Sequence, residues 1–138
     1  MSSAYRAVSF WHDSLDDDAL TPRAPLVGDT DADVAIVGAG LTGLWTAWYL
    51  QERDPSLRVV IVEREIAGFG ASGRNGGWCS ALFPRSTASL ERTHGREAAL
   101  AMRRAMIDTV DEVGEVTERA EIDCDFRRGG TVAFARSA

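Results

Sequence analysis

A glycine-rich hexapeptide has the residue types and spacing of a phosphate-binding turn. It stands between a β-branched run, Val34–Val37, and a segment with helical periodicity through Gln51, and it reads Gly38-Ala39-Gly40-Leu41-Thr42-Gly43. Glycines permit a tight strand-to-helix turn and let a pyrophosphate approach the backbone, while the free N–H groups and positive dipole end of the helix attract its charge. The chemistry that this turn predicts is the binding of a dinucleotide.

A carboxylate stands where the second strand of such a unit would end. Glu63 follows the β-branched run Val59–Val62 and lies twenty residues beyond Gly43. At that position an acidic side chain can accept hydrogen bonds from an adenosine ribose and would repel a 2′-phosphate. A lone glycine motif is weak evidence, but strand, helix, second strand and acid occur here in the required order, which favours dinucleotide binding over an ordinary turn.

A second glycine-rich stretch, Gly68–Trp78, begins a few residues after Glu63. It offers many backbone N–H groups, the Ser72 hydroxyl, the Asn75 amide and the Arg74 charge to an anionic or carbonyl-rich ligand. An ordinary flexible surface loop would need fewer glycines and no aromatic residues at its borders. We interpret the stretch as a second part of the binding site.

One βαβ unit must position these groups. The pattern predicts a strand over residues 33–38, a helix over residues 41–53 and a second strand over residues 58–63, with Asp54-Pro55-Ser56 ending the helix. A right-handed crossover makes the two strands parallel neighbours. Because the first strand and the helix are apolar on nearly all sides, we expect each to be covered on more than one face.

Residues 1–30 show no clear periodicity, and Pro22 and Pro25 break any helix in their second half. We predict an irregular arm that lies on the domain, with Trp11 as its anchor and His12 at the surface. The acidic run Asp16-Asp17-Asp18 is typical of a solvated face and not of a metal cluster.

Residues 93–120 form the longest helical pattern, in which Gly114 weakens the helix by about 1 kcal/mol relative to alanine. Its apolar stripe consists of Ala99, Met102, Met106, Val110, Val113, Val116 and Ala120. Residues 125–128 and 131–135, on either side of Gly129-Gly130, predict a short strand, a turn and another strand.

Length and composition are those of one ordinary globular domain, with 138 residues of which 45% are hydrophobic and 26% charged. The net charge of −6 argues against a general nucleic-acid surface. Cys79 and Cys124 lie far apart, which suits reduced thiols better than a disulfide framework or a metal site. No apolar run approaches the length of a membrane span, and the first residues do not have the pattern of a secretory leader. We therefore expect a cytoplasmic protein with no metal and no nucleic-acid or membrane partner.

The two glycine-rich segments together resemble a known family. D-V-A-I-V-G-A-G-L-T-G-L from Asp33 and V-E-R-E-I-A-G-F-G-A-S-G-R-N-G-G from Val62 are similar to the N-terminal region of FAD-dependent amine and amino-acid oxidoreductases, the D-amino-acid oxidase, glycine oxidase and sarcosine oxidase superfamily. The likeness is closest to the gamma-glutamylputrescine oxidase-like branch, which carries a similar G-A-S-G-R-N-G-G segment. The resemblance implies FAD as the cofactor and an α/β fold, with a Rossmann-like FAD-binding βαβ unit, a long helix and the first strands of an incomplete substrate domain.

The resemblance also implies roles for individual residues. Gly38, Gly40 and Gly43, together with the rest of their turn, would hold the FAD pyrophosphate, and Glu63 would bind the adenosine ribose with Arg64 near the adenosine end. The remaining pyrophosphate, ribityl and flavin contacts would come from the second stretch, through Gly70, Ser72, Arg74, Asn75, Gly76 and Gly77. No residue of this chain is assigned as a catalytic acid or base.

For a complete member, the resemblance implies oxidation of the C–N bond of an amine or amino acid by hydride transfer to the flavin. The imine is then hydrolysed, and molecular oxygen or another acceptor reoxidises the flavin. A nicotinamide-dependent dehydrogenase fragment and a non-catalytic dinucleotide-binding remnant are the alternatives. The first has no standard use for the stretch Gly68–Gly77.

The family's chains are several times longer than this one. We therefore predict an arm over residues 1–30, the FAD-binding unit and flavin loop over residues 31–92, and a helix with the truncated start of a substrate domain over residues 93–138. An isolated chain of this length is expected to be inactive, because most of the substrate pocket would lie beyond it.

Overall fold

The computed structural model describes residues 2–132 and residue 134, and its chain forms two compact units, Met1–Gly76 and Gly77–Ala138. The first unit contains helices α1 (Ser2–Arg6), α2 (Phe10–Asp13) and α3 (Leu41–Arg53), strands β1 (Val34–Val37) and β2 (Val59–Val62), and a 3₁₀ turn at Ala71–Gly73. The second unit contains helices α4 (Thr87–His94) and α5 (Arg96–Arg119).

Strands β1 and β2 pair in parallel around α3, which confirms the predicted βαβ unit. Val34 pairs with Val59 at one end of the ladder and Val37 pairs with Val62 at the other. The pairing continues past the strand ends, because the Gly38 N–H donates to Val62 O at 2.8 Å. The register therefore brings the first glycine of the turn beside the end of β2, where Glu63 follows.

The expectation that β1 and α3 are covered on more than one face is not met within the described residues. Exposure alternates along β1, ending with Val37 at 89% exposed, and no residue of α3 is fully buried. A sheet of two strands can cover only one side of a helix, so Leu44 and Tyr49 on other sides of α3 keep more than a third of their surface in water.

The apolar core of the first unit is formed by the N-terminal segment together with residues that follow β2. Tyr5, Leu20 and Ile66 are buried together, and Phe69 packs against them. The segment is not irregular throughout, because it forms α1 and α2. The placement of His12 at the surface was wrong, since only 2% of this residue is exposed.

Local capping and contacts distant in sequence explain why α2 and the burial of His12 were not predicted. Ser9 caps α2 by accepting a hydrogen bond from the His12 N–H, and a single cap of this kind leaves no periodic signal in the sequence. Trp11, predicted to be the anchor, is 40% exposed and is held through its indole N–H, whereas Tyr5 and Leu20 supply the buried apolar contacts.

The second unit has helix α5 where the pattern predicted a helix over residues 93–120, and a further helix, α4, precedes it over residues most of which the pattern did not assign to a helix. The chain bends at Gly95, whose φ of +83° and ψ of 161° belong to a region that only glycine adopts easily. Beyond the bend, α5 has the predicted stripe only in part: Ala99 and Val116 are buried, whereas Met102 is 38% exposed. Helix α4 contributes the buried Leu90.

The strand predicted over residues 125–128 does not form. Asp125 has a φ of +52°, which interrupts an extended backbone, and Phe126 lies against Gly114 of α5. The strand predicted over residues 131–135 falls partly on Ala133 and Ala135, which lie outside the described residues. Among the residues that the structure describes, no helix is long and apolar enough to cross a membrane.

Candidate functional site

The first glycine-rich turn requires glycine for two different reasons. Gly38 ends β1 with a φ of +100°, where a side chain would be strained. A Cβ on Gly43 would collide with the Gly38 carbonyl oxygen and lie 3.2 Å from Ile36 Cγ2. The helix can therefore begin directly beside the strand end, which places its N-terminus at the carboxyl edge of the sheet.

The N-terminus of α3 is where the two glycine-rich stretches meet. Gly40 is the N-cap residue and supplies no side-chain cap, and the Leu41 N–H donates instead to Ser72 Oγ at 2.9 Å. A Cβ on Gly40 would lie 3.0 Å from the same hydroxyl oxygen. The structure thus brings together Gly40, Leu41 and Ser72, which the sequence predicted to share one ligand.

Glu63 reaches back to the first turn from the end of β2. Its Oε2 accepts from the Ala39 N–H at 2.9 Å, and its Oε1 accepts from the Glu65 N–H at 3.1 Å. These bonds, that from Ala39 first, lower the pKa of Glu63, so the side chain is a carboxylate at neutral pH. An ionised carboxylate has about four acceptor positions. Glu63 is exposed and can accept further hydrogen bonds from hydroxyl groups of a ligand.

The second stretch is held in shape largely by its own side chains. Gly70 precedes the 3₁₀ turn, Arg74 donates through Nε to Phe69 O at 3.0 Å, and Asn75 donates through Nδ2 to Ser72 O at 2.6 Å. The Arg74 guanidinium also lies over the Phe69 ring, 4.8 Å from its centroid. Arg74 and Asn75 therefore shape the loop as well as being candidates to contact a ligand.

The other predicted site residues lie at the margins of this arrangement. Thr42 is exposed in the first turn of α3, and the Arg64 side chain is 87% exposed and pairs with Glu65 at 3.4 Å. Gly76 is exposed at the end of the first unit, and Gly77 opens the second unit with a φ of +70°. Contacts of these four residues with a cofactor stay predictions.

Three side chains of the N-terminal segment contact the region that follows β2, and sequence reasoning missed this role. Ser9 Oγ donates to Gly73 O at 2.6 Å, Trp11 Nε1 donates to Asn75 O at 2.7 Å, and the Tyr5 hydroxyl donates to Glu65 Oε2 at 3.0 Å. The available signal was the concentration of polar and aromatic side chains in Ser9-Phe10-Trp11-His12, ahead of a glycine-rich stretch that cannot pack by itself.

These features fit the adenosine and pyrophosphate part of FAD. The fit is carried by the missing side chain at Gly40, the helix N-terminus beside it and the ionised Glu63 at the neighbouring strand end. Within the described residues, no group of His, Cys, Asp and Glu side chains could hold a metal ion. The residues brought together here could hold a diphosphate and a sugar.

Comparisons with known proteins agree with this chemistry. The family described as FAD dependent oxidoreductase (DAO) matches residues 33–138. Gamma-glutamylputrescine oxidoreductase of Escherichia coli is 39% identical over 98 residues, which are 71% of this chain and 22% of the relative. The probable oxidoreductase OrdL of Haemophilus influenzae is 33% identical over 121 residues, 88% of this chain and 27% of the relative.

A more distant relative, the thiamine thiazole synthase of Schizosaccharomyces pombe, is 38% identical over 60 residues, 44% of this chain and 18% of the relative. The chain spans about a quarter of the length of the first two relatives. No solved structure matches it.

Proposed function

Because the chain belongs to the DAO family of FAD dependent oxidoreductases, we propose that its protein oxidises the C–N bond of an amine or amino acid with FAD held by the two glycine-rich stretches. FAD dependence is a property of the family. The residues that hold the cofactor and the bond that is oxidised are our proposal. The family match gives no support to the nicotinamide-dependent alternative.

The observation that carries the proposal is the junction of Gly40, Leu41 and Ser72. A second loop crosses the start of α3 at the point where a side chain is absent, since Ser72 Oγ accepts from the Leu41 N–H beside Gly40. The first N–H groups of a helix have no partner within the helix and are available to a ligand. A diphosphate in this position would be stabilised by the helix dipole and by the amides of both stretches. Glu63, at the end of β2, is placed to accept hydrogen bonds from the ribose.

When bound, the flavin would be the acceptor for the hydride from the substrate carbon next to nitrogen. This chain's residues bind the cofactor and orient it, and the proposal assigns them no proton transfer. The amine class is supported by the 39% identity with a relative named gamma-glutamylputrescine oxidoreductase. We further propose molecular oxygen as the electron acceptor.

Oxidase assays of protein expressed from its complete gene test the proposal. We expect yellow protein that releases hydrogen peroxide with gamma-glutamylputrescine, putrescine or a D-amino acid, and no turnover from the isolated 138-residue chain. If the flavin-loaded protein is reduced by none of these amines under nitrogen, C–N oxidation is contradicted. If it is reduced but forms no peroxide in air, only the oxygen acceptor is wrong.

A further inference from the structure

We propose that the N-terminal segment acts as a clasp that holds the second glycine-rich stretch in its cofactor-binding shape. The clasp consists of Tyr5, Ser9, Trp11, His12 and Leu20, and its positioning residues are Ser9 and Trp11. The inference depends on the proposed cofactor site, because it concerns how well residues of that stretch are presented to FAD.

Ser9 is the centre of the clasp, and its hydrogen bonds have a defined direction. The Ser9 hydroxyl has one hydrogen, which it donates to Gly73 O at 2.6 Å. The same oxygen lies 2.7 Å from His12 Nδ1 and accepts from the His12 N–H at 3.3 Å. Because the hydroxyl hydrogen is already used, His12 Nδ1 must be the donor to Ser9, which fixes the orientation of the ring.

Trp11 holds a second carbonyl of the same stretch. Its indole N–H donates to Asn75 O at 2.7 Å. In a trans peptide the C=O and the following N–H point in opposite directions. Trp11 therefore directs the N–H of Gly76, one of the predicted cofactor contacts, away from the arm.

Packing reinforces these hydrogen bonds. His12 is almost fully buried, and a Cβ on Gly73 would lie 2.6 Å from His12 Cε1. Phe69 is edge-to-face with both Tyr5 and His12, at centroid distances of 5.8 and 6.4 Å. The Arg74 guanidinium lies over the Phe69 ring, so a continuous series of ring contacts links the arm to a predicted cofactor residue.

The glycine content of the stretch explains why an external clasp is needed. Glycine has the largest backbone freedom of any residue, so a segment rich in glycine loses the most entropy when one shape is selected. Donors from the arm fix two of its carbonyls before a ligand arrives. The entropy cost of ordering the stretch, which opposes cofactor binding, is then smaller, and the apparent affinity for FAD is higher.

Substitutions that remove single donors test the clasp. Ser9→Asp can still cap α2, because its carboxylate accepts from the His12 N–H, but it has no hydrogen for Gly73 O. Trp11→Phe keeps an aromatic ring and removes the indole donor. Ser9→Thr keeps a hydroxyl at this position. Thr21→Val is the matched control, since the hydrogen bond that it removes, from Thr21 Oγ1 to Asp17 O at 2.9 Å, lies within the arm.

Two measurements on protein expressed from its complete gene show the effect of each substitution. The first is the Kd for FAD, by quenching of flavin fluorescence, and the second is the rate of tryptic cleavage after Arg74 in the cofactor-free protein. Arg74 is exposed, and no other trypsin site lies between Arg64 and Arg85. We expect Ser9→Asp and Trp11→Phe each to raise the Kd about fivefold and to speed this cleavage, as loss of one hydrogen bond implies. We expect Ser9→Thr and Thr21→Val to match the wild type.

Unchanged Kd and unchanged cleavage in Ser9→Asp and Trp11→Phe would overturn the clasp. An equal rise in Kd for Ser9→Thr would also overturn it, because the hydroxyl would then be irrelevant. A wild type that binds no FAD would instead contradict the proposed site, while the cleavage rates would still decide whether the arm holds the stretch. Circular dichroism identifies any variant that has lost its fold, and Trp11→Phe, which leaves the α2 cap in place, then decides the question.

Discussion

Gly43 is the single residue on which the geometry of the cofactor turn depends most. A methyl group there would meet the Gly38 carbonyl oxygen and the Ile36 side chain. Since the nearest obstacle is backbone, α3 itself would have to move away from β1. We expect Gly43→Ala to lower the free energy of unfolding by about 1–3 kcal/mol, as overpacking does, and to weaken FAD binding. Urea unfolding and a flavin titration measure the two effects.

Gly129→Ala is the matched control, because a Cβ at Gly129 meets nothing within 4 Å. It should leave both the unfolding free energy and FAD affinity close to those of the wild type. If Gly43→Ala is as stable as this control and binds FAD equally well, the close approach of helix and strand is not required.

A second prediction at this scale concerns pH. Arg58 donates to Asp33 through its guanidinium and its backbone N–H, and these bonds lower the pKa of Asp33 from 3.8 to about 2. The pair therefore stabilises the fold above pH 3.8, and this contribution is lost as the pH falls towards about 2. Partial exposure of both side chains limits its size. Asp33→Asn should be less stable at pH 7 and should lose less stability between pH 4 and pH 2.

Urea midpoints of wild type and Asp33→Asn across this pH range measure the effect, with the exposed Asp29→Asn as the control. Parallel curves for wild type and Asp33→Asn would show that the ion pair contributes nothing.

Residue types were predictable where their role is set by nearby sequence. Gly43 and Glu63 follow from the order of strand, turn, helix and strand, which is a local pattern. The burial of His12 could not be predicted in this way, because it depends on contact with Gly73. Its partner Ser9 likewise donates to the carbonyl oxygen of Gly73, which lies 64 positions further along the chain. No spacing rule in one sequence reports a contact of that kind.

At the scale of secondary structure, Gly114 is explained by what packs against α5. Glycine within a helix costs about 1 kcal/mol relative to alanine. A Cβ on Gly114, however, would lie 2.7 Å from Phe126 Cε1. We expect Gly114→Ala to give little or no stabilisation in the wild type, because displacing the ring offsets the gain in helix propensity.

The double-mutant cycle with Phe126→Ala tests this account by urea unfolding. Without the ring, Gly114→Ala should stabilise the protein by about 1 kcal/mol. An identical effect of Gly114→Ala in both backgrounds would mean that the glycine does not make room for Phe126.

The elements also differ in how far the sequence predicts them. The bounds of α3 are those predicted, because an apolar helical pattern and the Asp54-Pro55 stop are both local signals. Helix α4 was not predicted, because its eight residues bury one apolar side chain, Leu90, and so show no apolar stripe. Its N-cap, Ser86, is a local signal that the periodic pattern does not include.

At the scale of the whole molecule, α3 and the short sheet pack on each other but keep part of their apolar surface exposed within the described residues. Val37 of β1 and Leu44 of α3 remain exposed on elements whose sequences are apolar nearly all round. The prediction of burial on several sides came from that composition alone. Composition does not identify which other segments would pack against these elements.

The central claim is that the junction of the two glycine-rich stretches binds FAD, and the most direct test is the flavin content of the purified protein. Protein expressed from its complete gene should be yellow, and heat should release FAD at about one mole per mole of protein. Ser72→Asp, which places a negative charge beside the Leu41 N–H, should abolish this content through repulsion of the diphosphate. A folded wild type that is colourless and takes up no added FAD would contradict the account.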